Sequence, residues 1–134
     1  MSAGLAIDCI TVKRDRIVCG VRCLDMRYCY TNPAMAARAL AARPHLAEHA
    51  CVNEQGETFG AVIARTPLPH LLEHVAIDIL TEIDPRDYQI YTGVTEWIAG
   101  QAGRARVQLA LTDDLIVLSA VREALRFINE EVVR

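Results

Sequence analysis

The stretch TPLPHLLEHVAIDIL, residues 66–80, decides how this chain is read. Thr66 followed by Pro67 is a cap-and-proline signal, and Leu68, Leu72, Val75 and Ile79 then recur at helical spacing, so an amphipathic helix is expected from here to the break at Asp84 and Pro85. At about 100° per residue, His70 and His74 stack one turn apart with Glu73 beside them. The apolar residues point to roughly the opposite side. The expectation is a helix that buries one face and offers two imidazoles and a carboxylate on the other.

Working outward, residues 34–43 (AMAARALAAR) follow Asn32-Pro33, another cap with proline at the first helical position. Pro44 should kink or break that helix before a short second one carrying HLAEHA, residues 45–50. CVNEQGETFG, residues 51–60, reads as loop. Towards the N-terminus, residues 5–13 and 16–24 are β-branched-rich runs separated by Arg14 and Asp15, a hairpin. Towards the C-terminus, residues 88–97 (YQIYTGVTEW) and 106–112 (RVQLALT) are strands around the turn AGQAGRA, and a final helix opens near Thr112 with Asp113 and Asp114 in its first turn. Leu118, Val121, Leu125 and Ile128 carry that last helix. The order ββααββα predicts an α+β fold: a small antiparallel sheet of two hairpins with helices packed on one face.

With 134 residues the chain fits one domain, residues 1–134, around a single core. A hydrophobic fraction of 52% with 23% charged residues excludes a disordered or fibrous chain. The net charge of −3, with no basic cluster, argues against nucleic acid as a partner. No apolar run approaches the ~20 residues of a membrane span. Five cysteines without CxxC spacing, and no leader ahead of them, point to a soluble protein of the reducing cytoplasm, with Cys9, Cys19 and Cys23 buried on strands. The edge strands of a small sheet leave a homo-oligomer open.

All four histidines fall in two copies of P-H-L-x-E-H, at residues 44–49 and 69–74. In the second copy His70-Leu71-Leu72-Glu73-His74 reads H-x-x-E-H, the pattern in which two histidines hold zinc and the glutamate serves as general base. The chemistry needs neutral imidazoles to hold the ion while leaving positions open, and a nearby carboxylate to take a proton. A third ligand is required. His49 is the first candidate and Glu96 the second, with Glu48 and His45 behind them. Cys51, two residues after His49, is a further candidate for ligation or for supporting the site. Solvated His and Glu side chains also share helix faces without binding anything, so the motif alone leaves both readings open.

Between His45 and Leu80 the sequence resembles the N-terminal domain of cyanophycin synthetase. That family has an E-H-x-C element, matched by Glu48, His49 and Cys51, and an H-h-h-E-H-h-A helix, matched by His70, Glu73, His74 and Ala76. Residues 10–24 look like its opening strands, and YTGVTEW looks like its V-h-h-E-Y strand with Glu96 on the glutamate. The resemblance implies a metallopeptidase-like domain that, in some members, cuts a polymer of aspartate backbone and arginine side groups into primers. It carries the catalytic role to Glu73 and metal binding to His70 and His74, puts His49 on the first element's histidine, and leaves His45 without a family position. The family's ATP-grasp and Mur-ligase-like domains have no counterpart within these residues, so the expectation is a stand-alone domain that cuts or holds polymer. The loop QGETFGAVIARTPLP, residues 55–69, departs from the family's Gly-Gly-Phe pattern, which bears on substrate specificity.

Two functions follow as expectations. The first is a zinc-dependent, or other divalent-metal-dependent, hydrolase of cyanophycin or a related acidic peptide, with Arg43 and Arg65 beside the motifs meeting substrate carboxylates. The second is a non-catalytic module that binds the polymer or docks to separate synthetase domains. A third arrangement, a structural metal held by Cys51 and His49, would make the fold itself metal-dependent.

Overall fold

Leu5–Val12 (β1) and Arg16–Cys23 (β2) pair antiparallel, and the connection is closed by Lys13 N–H donating to the Arg16 carbonyl at 2.8 Å. Gly93–Trp97 (β3) and Arg104–Ala110 (β4) form the second hairpin, turning through Gly100 and Gly103 at positive φ. The hairpins join through β2 and β4, giving one four-stranded antiparallel sheet in the order β1-β2-β4-β3. The computed structural model describes residues 4–51, 55–83, 92–111 and 113–134. The expected strand portion at 88–91, the Asp84-Pro85 break and Thr112 lie outside them.

Alternation sorts the two faces. Ile17, Cys19 and Val21 of β2 stand opposite Leu109, Val107 and Ala105 of β4, and all six are buried. The other face carries Arg16, Arg22, Arg104 and Arg106. Three helices, Pro33–Ala42 (α1), Leu68–Ile83 (α2) and Asp114–Phe127 (α3), complete the fold. Their starts have local causes: the Asn32 side chain accepts from Met35 N–H, and Asp113 accepts from Leu115 and Ile116 N–H. Helix α3 buries Val117, Ala120, Val121, Ala124 and Phe127, and runs into a wider turn at Ile128–Val132.

The α+β class, the two-hairpin sheet and the one-sided helices agree with the sequence reading, with three differences. The segment after Pro44 is a 3-10 turn, Pro44–Glu48, rather than an α-helix. Cys9 is exposed, because β1 shifts register between Ile7 and Cys9 and so seats Cys9 opposite Gly20, where an added Cβ would lie 2.7 Å from the Cys9 sulphur. Helix α2 is buried on both sides. Leu68, Leu71, Leu72 and Leu80 enter the core at about 2 kcal/mol each, and Glu73 and His74 are only 4% and 3% exposed. The polar face of this helix therefore does not look into solvent; it is roofed by the residues described next.

Candidate metal centre

Helix α2 supplies His70, Glu73 and His74, and three other segments close over them. Phe59, fully buried in a 3-10 turn at Phe59–Ala61, stacks on His74 with centroids 4.0 Å apart and rings 14° from parallel, and meets the His70 ring edge-on at 5.0 Å. A ring against two imidazoles fixes their planes and excludes water from one side of them.

Cys51 comes from the bridge that pairs Ala50 with Thr58. Its Sγ lies 3.6 Å from His70 Nε2, and ligand atoms of Cys51, His70 and His74 all fall within 4.8 Å of one another. On its other nitrogen, Nδ1, His70 meets the Thr66 hydroxyl at 2.8 Å. Thr66 is itself held, its N–H donating to Thr31 Oγ1 at 2.9 Å while the Thr31 hydroxyl donates to the Ile63 carbonyl at 2.7 Å. A hydrogen bond on one ring nitrogen that directs the other into the site is how outer residues orient metal-binding histidines.

Strand β3 contributes Thr95, whose hydroxyl donates to Glu73 Oε1 at 2.7 Å. Oε2 lies 3.7 Å from His74 Nε2. Burial pushes the Glu73 carboxyl up to about 6, against the lowering effects of the Thr95 bond and of His49. Burial also lowers His70, and burial with the charges of His70 and His49 brings His74 down to about 3. Both imidazoles are thus neutral at pH 7, the form in which they donate to a metal. Gly93 brings strand backbone close against Glu73: a Cβ there would lie 2.8 Å from Glu73 Cγ and 3.0 Å from the Gln108 carbonyl.

His49 meets the group through His74, Nδ1 to Nδ1 at 3.1 Å, and its Nε2 lies 3.1 Å from Asp78 Oδ1. Arg43 bonds Asp78 at 2.8 Å and Glu82 at 2.7 Å. Burial disfavours the Asp78 carboxylate, yet the bonds from His49 and Arg43 outweigh it and hold Asp78 below the ordinary carboxylate range. Two clefts open on this arrangement. One, of about 480 Å³, is lined by Cys51, His70, Glu73, His74 and Thr95; the other, of about 740 Å³, by Arg43, Glu48, His49, Asp78 and Glu82. The larger lacks Glu73, so the smaller is where Glu73 meets Cys51, His70 and His74.

Several residues singled out by sequence stand elsewhere. Glu96 projects from the face of β3 opposite to Thr95 and pairs with Arg106 at 3.0 Å, so it is not beside the histidines; a strand inverts its faces at each residue. Glu48 and His45 pair with each other at 3.2 Å with side chains 79% and 82% exposed. Arg43 is occupied by Asp78 and Glu82, and Arg65 lies over the Tyr30 ring at 5.7 Å. The sequence reading missed Thr95, Thr66, Phe59 and Asp78. Thr66 and Asp78 had a local signal, since Thr66, His70, His74 and Asp78 follow one another at intervals of four.

The sequence matches the cyanophycin synthase-like N-terminal domain over residues 24–133. The chain belongs to that family. The match begins at Leu24, so the β1–β2 hairpin, expected to resemble the family's opening strands, lies ahead of the matched span, whereas every residue of the histidine cluster of this cyanophycin synthase-like domain lies within it. Among curated proteins no sequence matches the chain. Among the described residues no helix is long and apolar enough to cross a membrane.

Proposed function

We propose that this domain is a metal-dependent hydrolase of cyanophycin or a related aspartate/arginine peptide, with Glu73 as general base and then general acid. The observation that carries this reading is a buried carboxylate with a pKa of about 6 next to converging Cys51, His70 and His74 donors. The donor set fits zinc: one thiol, two imidazoles kept neutral by burial, and hydrogen-bonded orientation of His70 from Thr66. Cys51, His70 and His74 would hold the ion, with His49 behind His74. When bound, zinc supplies Lewis acidity toward water and an amide carbonyl.

The chain's own residues do the rest. Thr95 engages Glu73 Oε1, which leaves Oε2 as the atom that takes a proton from water and returns it to the departing amine nitrogen. A pKa near 6 suits both halves of that exchange at neutral pH. Phe59 excludes water from the imidazole faces. Substrate guanidinium groups would compete with Arg43 and His45 for the exposed Glu82 and Glu48 carboxylates of the larger cleft.

The test is elemental analysis joined to a product assay. The expected result is about one zinc per chain, lost in a His70→Ala, His74→Ala double variant, and a Glu73→Gln variant that keeps its metal while cleavage of cyanophycin disappears. Equal turnover by wild type and Glu73→Gln would overturn the mechanism.

A further inference from the structure

We propose that Cys23, Met26 and Cys29 form a second metal site, one selective for a soft monovalent cation, Cu(I) foremost. The site goes beyond the hydrolase reading and shares no residue with the histidine cluster. In sequence the three residues read C-x-x-M-x-x-C, and the fold turns that spacing into convergence. The Cys29 thiol donates to the Met26 sulphur at 3.5 Å, and burial together with the neighbouring Cys29 raises the pKa of the Cys23 thiol. Two sulphurs each about 2.3 Å from one ion stand roughly 3.7–4 Å apart, so small rotations of these side chains complete a three-sulphur shell.

The backbone holding the sulphurs is fixed at each point. Cys23 ends β2 and its N–H donates to the Gly103 carbonyl at 2.8 Å. The 3-10 turn Met26–Tyr28 is capped by Asp25, which accepts from Arg27 N–H at 3.0 Å and pairs with its guanidinium at 2.8 Å. The Cys29 carbonyl accepts from Leu68 N–H at 2.7 Å. Gly103 leaves the room: a Cβ there would lie 2.7 Å from the Met26 sulphur and 3.7 Å from Cys23 Cβ.

Access and selectivity follow from burial and donor type. Cys23 and Cys29 are 7% and 5% exposed, while Met26 is 59% exposed and forms the entrance. Two thiols and a thioether, with the Asp25 carboxylate engaged by Arg27, are soft donors that disfavour magnesium and calcium, and the thioether, which is not among the usual zinc ligands, favours Cu(I) over zinc. Binding replaces the proton of each coordinating thiol, and those protons go to solvent through the Met26 side.

The experiment titrates the reduced 134-residue chain, anaerobically and with zinc present, with Cu(I) in competition with a chromophoric chelator, and reads the metal's neighbours by X-ray absorption. Wild type should withdraw about one equivalent with sulphur-only neighbours, and Cys51→Ala should do the same. Met26→Leu, a change at an exposed residue that leaves folding intact, should weaken retention about tenfold and reduce the shell from three sulphurs to two. Cys29→Ala should abolish it. No withdrawal by wild type, nitrogen in the shell, loss of uptake in Cys51→Ala, or a Met26→Leu variant identical to wild type would each overturn the proposal.

Discussion

The Thr95 hydroxyl reaches from β3 to Glu73 Oε1 at 2.7 Å, so the sheet, and not the helix that bears it, sets the direction of this carboxylate. A hydrogen bond to the ionised form lowers a carboxyl pKa, and here it offsets part of the rise that burial causes. Thr95→Val keeps the β-branched shape and removes the bond. The Glu73 titration midpoint of the metal-free protein, about 6 in wild type, should move upward in the variant when followed by carbon NMR of the side-chain carboxyl. An unchanged midpoint would mean that Thr95 does not act on Glu73 in solution. Thr95 is a positioning residue in this account, so kcat should fall more than KM rises.

Burying an ionisable carboxyl has a consequence for stability. The folded-state pKa of Glu73 is raised from 4.5 to about 6, so the unfolded chain releases this proton first, and ionisation weakens the fold as pH climbs through that interval. Glu73→Gln accepts the Thr95 bond without ionising. The metal-free variant should therefore exceed wild type by about 1–2 kcal/mol in urea unfolding at pH 7, with the gain fading as pH falls through that same interval. His74, lowered from 6.5 to about 3, acts in the opposite sense, favouring the fold above pH 6.5 and losing that contribution as pH falls. It is present in both proteins and enters the difference only through its contact with residue 73 at 3.7 Å. A variant no more stable than wild type at pH 7 would contradict the assigned shift.

Asp78 links two elements of the site, accepting from Arg43 and facing His49 Nε2, and His49 in turn faces His74. Asp78→Asn keeps the volume and removes the charge that both partners meet. Zinc affinity, measured calorimetrically, should fall about 10- to 100-fold, as for loss of a group that orients a ligand. His45→Ala is the control. Its side chain is 82% exposed in a surface pair with Glu48, so affinity should hold and stability should stay within about 0.5 kcal/mol. Matching losses in both variants would dismiss the Asp78–His49–His74 chain as a support of the metal.

How far the sequence could be read depended on where each signal lives. Helix α2 was legible because proline, periodicity and the H-x-x-E-H spacing are all local. The paired hairpins were legible because alternation and turns are local too. What roofs α2 was legible only at Cys51, two residues after His49; Phe59 and Thr95 reach the helix from separate segments and nothing in their own neighbourhoods marks them. Strand β3 shows the limit most sharply. Thr95 and Glu96 are adjacent, and the only question is which faces the helix; the charged residue looked like the ligand, yet the register with β4 turns it toward Arg106. The first P-H-L-x-E-H copy shows the same limit, because a shared pattern does not give Glu48 the burial of Glu73.

Gly93 offers the strictest test of how the sheet and α2 fit together. Its backbone is not in the left-handed region, so the demand on this position is space alone. An added Cβ meets Glu73 Cγ at 2.8 Å, Glu73 Cδ at 3.0 Å and the Gln108 carbonyl at 3.0 Å, and the last of these is backbone of the neighbouring strand and cannot yield. The glutamate has little freedom either, because its Oε1 is tied to Thr95 two residues along the same strand. Gly93→Ala should therefore push Glu73 out of line and cost about 1–3 kcal/mol in urea unfolding, the range for overpacking a filled site. Turnover should drop further than the stability loss explains. Restoring room from the other side, with Glu73→Asp in the Gly93→Ala background, should recover part of the lost stability but no turnover, since the shorter side chain draws the carboxylate back from the cleft. Additive losses in the double variant would show that the two side chains do not compete for the same space.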